Sequence, residues 1–227
     1  MVLMCLTISQ FSLAQENSDW AGLSRFQKEN AGLGKPVKNE KRVIFIGNSI
    51  TEGWKHADPE FFSRNSYINR GIGGQTTPQI LLRFRQDVVA LKPAVVVILA
   101  GTNDIAGNTG PSTLEMIEDN LASMAEIARA NDIQVVLSSV LPVSDYPWAP
   151  GLHPAEKIIE LNAWIKKYAA RHAAVYLDYY SALVNEQKGI RAEYTVDGVH
   201  PNPAGYKVMA PLAQKAVKKA LARARIK

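Results

Sequence analysis

The stretch "AVVVILAGTND" (Ala94–Asp104) changes abruptly from eight small or apolar residues to three polar ones. An apolar run without polar interruption is typical of a central strand in a parallel sheet, because helices cover such a strand on both faces. Four further runs are consistent with strands: Arg42–Gly47, Ser66–Gly71, Ile133–Val140 and Ala174–Tyr180. The sequence therefore predicts five strands, of which Ala94–Gly101 is the most apolar.

Helical patterns separate these strands. They cover Pro78–Ala90, Ser112–Ala130, Ala155–Arg171 and Ala204–Ala222. The second pattern opens with Ser112 and Glu115 at the spacing of a capping box. Strands that alternate with helices predict an α/β fold with a parallel sheet and helices on both faces. Ligands in such folds bind beyond the carboxyl ends of the strands, so chemistry is expected there.

Composition and charge set limits on the function. The chain has 227 residues, 47% of them hydrophobic and 21% charged, as expected for one globular domain. A single cysteine, Cys5, excludes an internal disulfide framework and a cysteine-based zinc site. The net charge of +5 comes from scattered Lys and Arg, and "KKALARARIK" (218–227) is interpreted as the solvated end of a helix. The sequence thus indicates no nucleic-acid partner.

The N-terminal segment "MVLMCLTISQFSLAQ" (1–15) carries no charged residue. Ser12 and Ala14 fit the small-residue sites of a signal peptidase, so residues 1–14 are interpreted as an export signal, although the usual basic start is missing. The alternative is a retained apolar N-terminus, packed or unstructured. Residues 15–40 are interpreted as a leader that wraps onto the domain, residues 41–227, and no other run is apolar enough for stable membrane insertion. A secreted or periplasmic location is expected.

Unusual polar residues follow the predicted strands. Ser49 comes two residues after Gly47, the glycines of "NRGIGG" precede a helix, and Asn103 follows the most apolar strand. The stretch "YTVDGVHPNPAGY" (194–206) brings Asp197 and His200 to the start of the last helix. Four separate segments therefore deliver polar groups to one edge of the sheet.

These are the groups that acyl transfer needs. A serine hydroxyl becomes a nucleophile when a base removes its proton, so Ser49 is the candidate nucleophile and His200 the candidate base. Asp197 can orient the imidazole and stabilise its cation. An oxyanion needs prearranged donors, and three are available: the Ser49 N–H, the Gly74 N–H and the Asn103 side-chain amide.

Each piece alone has a simpler explanation. A Gly-Asn-Ser turn is common, Asn103 could be a helix cap, and Asp197 with His200 could be a surface turn. The glycine-rich loop lacks the third glycine of a dinucleotide fingerprint and the Gly-Lys-Ser/Thr of a P-loop, which disfavours a flavodoxin-like nucleotide binder. No further ligand near Asp197 and His200 completes a metal site, so neither metal nor cofactor is expected.

His56, His153 and His172 have no comparable setting and are interpreted as surface or loop residues.

The blocks "FIGNSITEGW", "NRGIGGQTTPQILLRF", "KPAVVVILAGTND" and "DGVHPN" resemble the SGNH hydrolases, which are the GDSL-type esterases and lipases. The sequences of these blocks are similar to those of one branch of the family, which contains platelet-activating-factor acetylhydrolase subunits and many secreted bacterial acylhydrolases. The resemblance covers roughly Arg42–Tyr206. It implies a flavodoxin-like three-layer α/β/α sandwich with a five-stranded parallel sheet, and the same roles for Ser49, Gly74, Asn103, Asp197 and His200. The family's "GDS" is "GNS" here, since Asn48 stands where Asp is usual. The G-x-S-x-G elbow of α/β-hydrolases is absent.

One loop suggests a substrate pocket. The proline-rich loop "LPVSDYPWAPGLHP" (141–154) follows the fourth strand, and its Tyr146 and Trp148 offer flat apolar faces. These two residues, with Trp54, are predicted to form a wall of an acyl or sugar pocket. The alternative is that the aromatic rings pack the loop onto the domain.

The sequence as a whole predicts an exported serine esterase that hydrolyses O-acyl esters through an acyl-enzyme. Acetyl is the expected acyl group and carbohydrate the expected alcohol. A lipid acylhydrolase or lysophospholipase is the alternative within the class. A non-catalytic carbohydrate-binding relative is the alternative from another class. The sequence does not fix the oligomeric state.

Overall fold

The computed structural model describes residues 19–224, so the predicted signal segment 1–14 lies outside the described residues. Five strands form one parallel sheet in the order β2-β1-β3-β4-β5. Their bounds are β1 Val43–Gly47, β2 Tyr67–Gly71, β3 Val95–Leu99, β4 Gln134–Ser138 and β5 Val175–Leu177. The predicted five-stranded parallel sheet is confirmed.

Helices connect the strands and cover the sheet. They are α1 Gln27–Leu33, α2 Ser49–Ala57, α3 Pro59–Asn65, α4 Thr77–Asp87, α5 Thr102–Ile105, α6 Leu114–Ala130, α7 Ala155–Arg171, α8 Tyr180–Leu183 and α9 Pro203–Leu221, with 3-10 turns at Val89–Leu91 and Ala192–Tyr194. The four predicted helices correspond to α4, α6, α7 and α9.

The capping box predicted at Ser112 and Glu115 is wrong by one residue. Thr113 is the N-cap of α6, and its hydroxyl accepts a hydrogen bond from the Met116 N–H at 3.2 Å. Thr113 has the extended backbone that an N-cap requires, whereas Ser112 lies outside the helix. Thr113 offers the same capping hydroxyl, and the spacing of Glu115 from Ser112 did not decide which of the two residues forms the cap.

Side chains alternate across the central strands and so build two cores. Ile44, Ile46, Val96 and Ile98 face one side, where α4, α6 and α7 pack. Val43, Phe45, Val95 and Val97 face the other, where α2, α3 and α9 pack. This alternation follows from the two-residue repeat of a strand. It produces the expected three-layer α/β/α sandwich.

The strand order places a crevice above β1 and β3. The connection from β1 leads to β2 on one side, whereas the connection from β2 returns past β1 to β3 on the other. Open sheets of this flavodoxin-like order bind ligands at such a reversal, beyond the carboxyl ends of the strands. Ser49 follows β1 and Asn103 follows β3, so both lie beside this crevice.

Residues 20–30 of the leader lie against β2 and α4. Ala21 and Phe26 are buried, and the Asn30 side chain donates to Asp87 and accepts from Arg70. The contacts join the leader to parts of the domain that carry the glycine-rich loop. Across residues 19–224, none of the helices combines the length and apolar character that a bilayer crossing demands.

Candidate active site

Ser49, His200 and Asp197 form a continuous hydrogen-bonded chain. The Ser49 Oγ lies 2.9 Å from His200 Nε2, and His200 Nδ1 lies 2.7 Å from Asp197 Oδ2. With the ring hydrogen on Nδ1, Asp197 accepts from the imidazole and Nε2 is left to accept from the serine hydroxyl. The fold therefore joins residues 151 positions apart in the chain.

The Asp197 carboxylate is fixed by its own loop. Its Oδ1 accepts from the backbone N–H groups of His200 at 2.8 Å and Val199 at 2.9 Å. Partial burial alone would raise the pKa of Asp197, but the hydrogen bonds from the His200 backbone and ring, and from Val199, outweigh it and hold the pKa below its usual range. Asp197 is consequently an anion whenever His200 needs a partner near neutral pH.

Ser49 is the first residue of α2, directly at the end of β1. Asn48 is the N-cap, and its Oδ1 accepts from the Ile50 N–H at 3.0 Å. The Ser49 N–H, in the first turn, has no acceptor within the helix. The Asn48 Nδ2 is buried and has no acceptor among the described residues. Asn48 can therefore cap α2 as an Asp at this position would, but its amide nitrogen has no hydrogen-bond acceptor among the described residues.

The other two candidate donors lie on the neighbouring loops. Gly74 has φ +74°, which favours glycine, and the space around its missing side chain is open to 4 Å. Asn103 is 3% exposed, and its Nδ2 donates one hydrogen to the Gln75 carbonyl at 2.9 Å, which leaves the second hydrogen for a ligand. A side chain on Gly73 would lie 4.0 Å from the Ser49 Cβ, so this glycine loop lies against the serine.

The arrangement contains the parts of an acyl-transfer site. Hydrogen bonds connect a hydroxyl, a base and a carboxylate, and candidate amide donors lie on the neighbouring loops. Among the described residues, no group of three or more His, Cys, Asp and Glu is arranged to hold a metal ion.

Comparison with known proteins identifies the family of this chain. A sequence model of the GDSL-like lipase/acylhydrolase family matches residues 45–208, most of the chain, and the match includes every candidate residue named above. The chain belongs to this family. The predicted membership in the SGNH hydrolases is therefore confirmed, and the GDSL-like acylhydrolase is a carboxylic ester hydrolase.

Three relatives illustrate the range of similarity. A candidate acylhydrolase from Bacteroides fragilis has 51% sequence identity and a TM-score of 0.88, over 89% of this chain and 99% of that chain. The platelet-activating factor acetylhydrolase IB subunit alpha1 of Bos taurus is 28% identical over 74% of this chain and 71% of that protein. An uncharacterised lipoprotein of Bacillus subtilis is 37% identical, but over only 34% of this chain and 32% of that protein.

Two of the three residues predicted to form the pocket of the GDSL-like acylhydrolase, Trp54 and Tyr146, are buried in its core. Trp54 is 1% exposed and stacks on Phe61 and Tyr206 in the core between α2 and α9. Tyr146 is also 1% exposed, and its hydroxyl donates to the Thr102 carbonyl at 2.9 Å. Burial raises the pKa of Tyr146 to about 12. Both predictions of a pocket wall are wrong, because these rings pack helices and loops onto the core.

Trp148, the third predicted pocket residue, lies beside His200. Its side chain is 44% exposed, and its ring centroid is 6.1 Å from that of His200. Its Nε1 donates to the Asn108 Oδ1 at 3.2 Å, and Asn108 in turn donates to the Gly74 carbonyl at 3.3 Å. The indole is therefore anchored between the imidazole and the glycine-rich loop.

Several residues that position the candidate donors were not predicted. The Glu52 carboxylate accepts from the Gly73 N–H at 2.7 Å and so ties the glycine loop to the helix that carries Ser49. Buried Arg83 donates to the Gln75 side chain at 2.6 Å and to the Gly47 carbonyl at 3.0 Å. These contacts join residues 8 to 36 positions apart, so no short motif announces them.

Asp104, next to Asn103, has a similar positioning contact. Its carboxylate accepts from the Thr77 N–H at 2.9 Å and the Thr77 hydroxyl at 2.5 Å, which joins the end of β3 to the start of α4. Burial raises the pKa of Asp104, although the Thr77 hydrogen bonds oppose it. The "TND" block thus couples Asn103 to the helix that follows the glycine loop.

Tyr206 links the two ends of the site. Its hydroxyl donates to the Ile50 carbonyl at 2.9 Å, which joins the first turn of α9 to the first turn of α2. Because α9 follows the His200 loop and α2 begins with Ser49, this bond helps to set the distance between base and hydroxyl.

Proposed function

We propose that the protein is a serine esterase in which Ser49 is the nucleophile, His200 the base and Asp197 the residue that orients it. The observation that carries this proposal is the 2.9 Å contact between Ser49 Oγ and His200 Nε2, continued by the 2.7 Å contact to Asp197. These distances lie within the range required for proton transfer between a nucleophile and its base.

The reaction follows from these positions. His200 Nε2 removes the Ser49 proton as Oγ attacks the ester carbonyl, and the resulting oxyanion accepts hydrogen bonds from Ser49 N–H, Gly74 N–H and the Asn103 amide. His200 then gives its proton to the departing alcohol, which leaves an acyl group on Ser49. Water attacks this acyl-enzyme with His200 as base again, and His200 then returns the proton to Ser49 Oγ as the carboxylic acid leaves.

An acetyl ester of a carbohydrate is the substrate we propose. The name of the bovine relative, an acetylhydrolase, supports acetyl as the acyl group. Trp148, exposed beside His200, offers a flat apolar face with polar neighbours, which suits a sugar ring better than a long acyl chain. The name of the matched family includes lipases, so a lipid acetyl ester is the second candidate.

We also propose that the enzyme acts outside the cytoplasm. The apolar, uncharged segment 1–15 supports export. The similarity to a bacterial lipoprotein supports it further, although that similarity covers about a third of either chain.

The decisive experiment compares wild type with Ser49→Ala on p-nitrophenyl acetate. Wild type should turn over and should be inactivated by a serine-directed phosphonate, whereas Ser49→Ala should lose about 10⁴-fold or more in kcat. Ser181→Ala removes a hydroxyl from an exposed helix start and is the matched control. Activity that survives Ser49→Ala would contradict the proposed nucleophile, and an inactive wild type would favour the non-catalytic alternative.

A substrate panel then separates the two candidate alcohols. Acetylated oligosaccharides, acetylated lipids and p-nitrophenyl esters of increasing acyl length should be compared by kcat/KM. The proposal predicts the highest value for acetylated sugars and a decline as the acyl chain lengthens. A preference for lipid esters would replace the proposed alcohol and leave the catalytic residues unchanged.

A further inference from the structure

A pocket of about 380 Å³ opens beside the glycine-rich loop. Its wall includes Gly73 and Gly74, and Asn108 and Thr109 line it as well. Because a side chain on Gly73 would reach within 4.0 Å of the Ser49 Cβ, this pocket begins next to the proposed nucleophile. Asp19 and Trp20 also line it, and both precede the segment that matches the acylhydrolase family.

The turn of residues 19–24, here called the leader turn, has a fixed internal geometry. The Asp19 carboxylate accepts from the N–H groups of Leu23 and Ser24 and from the Ser24 hydroxyl, each at 2.7 Å. These hydrogen bonds, first of all those from Ser24, lower the pKa of Asp19. Trp20 therefore lies on a turn whose backbone is fixed by hydrogen bonds.

The leader turn is also attached directly to the proposed oxyanion site. Gln75, whose carbonyl accepts from Asn103, donates its side chain to the Ala21 carbonyl at 2.7 Å. Gln79 donates to the Trp20 carbonyl at 2.6 Å. Gly22 has φ +66°, and a side chain there would meet Ile72 at 3.0 Å, so the turn packs closely on the glycine loop. Its position is set by the same residues that position the oxyanion donors.

Trp20 itself is left half exposed. Its side chain is 50% exposed, whereas Ala21 and Phe26 in the same segment are 4% and 5% exposed. A large indole that remains in solvent at the rim of a pocket is available for a ligand. Trp148, 44% exposed, donates to Asn108, and Asn108 lines the same pocket as Trp20. Asn108 uses one amide hydrogen on Gly74 and keeps another for a ligand oxygen.

We propose that the leader turn is part of the active site and that Trp20 binds the alcohol half of the ester, a glycosyl unit, in the pocket beside Gly74. This inference rests on the proposed esterase function. The Trp20 indole packs against the C–H face of the sugar, while Asn108, Thr109 and Asp19 meet its hydroxyl groups. The polar lining explains why the pocket takes the hydroxylated half of the substrate, since an acyl chain would leave these groups without partners.

The test compares two acetyl esters that differ only in the alcohol: methyl acetate, which is too small to reach Trp20, and mono-O-acetylated cellobiose. In the full-length chain, Trp20→Ala should raise KM for acetylated cellobiose about fivefold to tenfold. Its kcat/KM for methyl acetate should match wild type. Trp20→Phe, which keeps a ring, should recover part of the loss. Leu82→Ala is the control, because Leu82 is 59% exposed on α4 and lies outside the pocket lining.

The outcomes separate this inference from the proposed function. Equal losses on both esters would overturn the inference, because the leader turn would then act only through the oxyanion loop. An unchanged KM for acetylated cellobiose in Trp20→Ala would overturn it as well, while the esterase assignment stood. A wild type that cleaves methyl acetate but not acetylated cellobiose would remove both the sugar substrate and the role of Trp20. A wild type without activity on either ester would contradict the proposed function itself.

Discussion

The two sides of the site are held in different ways. The donor half consists of the strand ends and loops that carry Ser49, Gly74 and Asn103, and the base half is the loop Thr195–Asn202. In the donor half, Asn103 is 3% exposed and buried Arg83 connects the glycine loop to β1. In the base half, the side chains of His200 and Asp197 are 31% and 36% exposed.

The base half is nevertheless well defined, because it is closed by local hydrogen bonds. The Thr195 hydroxyl donates to the His200 carbonyl at 2.8 Å and accepts from the Gly198 N–H at 2.9 Å. The Asn202 side chain caps α9 by accepting from Ala204 and Gly205. We therefore expect substitutions in the base half to change catalysis with little effect on stability, whereas substitutions in the donor half change both.

The largest effect is expected for Asp197→Asn in the base half. The neutral amide cannot stabilise the imidazolium and favours the wrong ring tautomer, so kcat should fall about 10³–10⁴-fold. The melting temperature at neutral pH should change little, because the side chain is partly exposed. Asp58→Asn, at the N-cap of α3, is the matched control and should keep full kcat. A collapse in melting temperature would show that the base half is not locally closed.

Asn103→Ala tests the donor half. Loss of one oxyanion donor should reduce kcat about 10²–10³-fold, and loss of the hydrogen bond to the buried Gln75 carbonyl should cost about 1–3 kcal/mol of unfolding free energy. Both are measurable, by steady-state kinetics and by denaturant titration.

Asn162→Ala provides the matched comparison, because Asn162 is also buried and pairs with the Val140 backbone. It should lose stability but keep its kcat. If Asn103→Ala lost stability alone, its role would be structural and the proposed oxyanion hole would lack one donor.

A smaller effect is expected for Glu52→Ala. Without the carboxylate, the Gly73 N–H loses its acceptor and the glycine loop is less well positioned, so kcat should fall about tenfold with a smaller change in KM. Glu52→Gln retains an acceptor oxygen and should recover part of the rate. Glu60→Ala, which removes an exposed partner of Arg64, is the control. Equal rates for Glu52→Ala and wild type would mean that the loop is fixed without this contact.

The smallest expected effect is the dependence of the unfolding free energy on acidic pH. The pKa of Asp197 is lower in the folded chain than in the unfolded one, so its contribution to stability is complete above pH of about 4 and is lost as pH falls through the folded value. The difference in unfolding free energy between wild type and Asp197→Asn should therefore shrink as pH falls from 7 to 3. Denaturant titration at both pH values measures it. A difference that grew on acidification would mean that the carboxylate is not held as an anion.

The sequence predicted the sheet and the proposed catalytic residues because both depend on local signals. Apolar runs such as Val95–Leu99 mark buried strands, and Ser49, Asn103, Asp197 and His200 stand where strands end or the last helix begins. These positions require no knowledge of packing. A parallel sheet then brings the polar groups to one edge by its topology alone.

The sequence could not predict which aromatic side chains are buried, because that depends on tertiary packing. Trp54 and Trp148 are the same residue type, yet Trp54 lies on the buried face of α2 and Trp148 on an exposed loop. An aromatic ring beside a strand end is compatible with either environment. The sequence also did not predict the contacts of Glu52, Arg83 and Trp20, because their partners lie far away in the chain.

The hydroxyl of Tyr206 has a consequence for how this enzyme fails on heating. Its bond to the Ile50 carbonyl fastens the helix behind His200 to the helix headed by Ser49, inside a stack of aromatic rings that includes Trp54. The helix that follows the His200 loop and the helix that begins with Ser49 are therefore joined directly. Hydrolysis should persist almost undiminished up to the melting transition and then disappear with it.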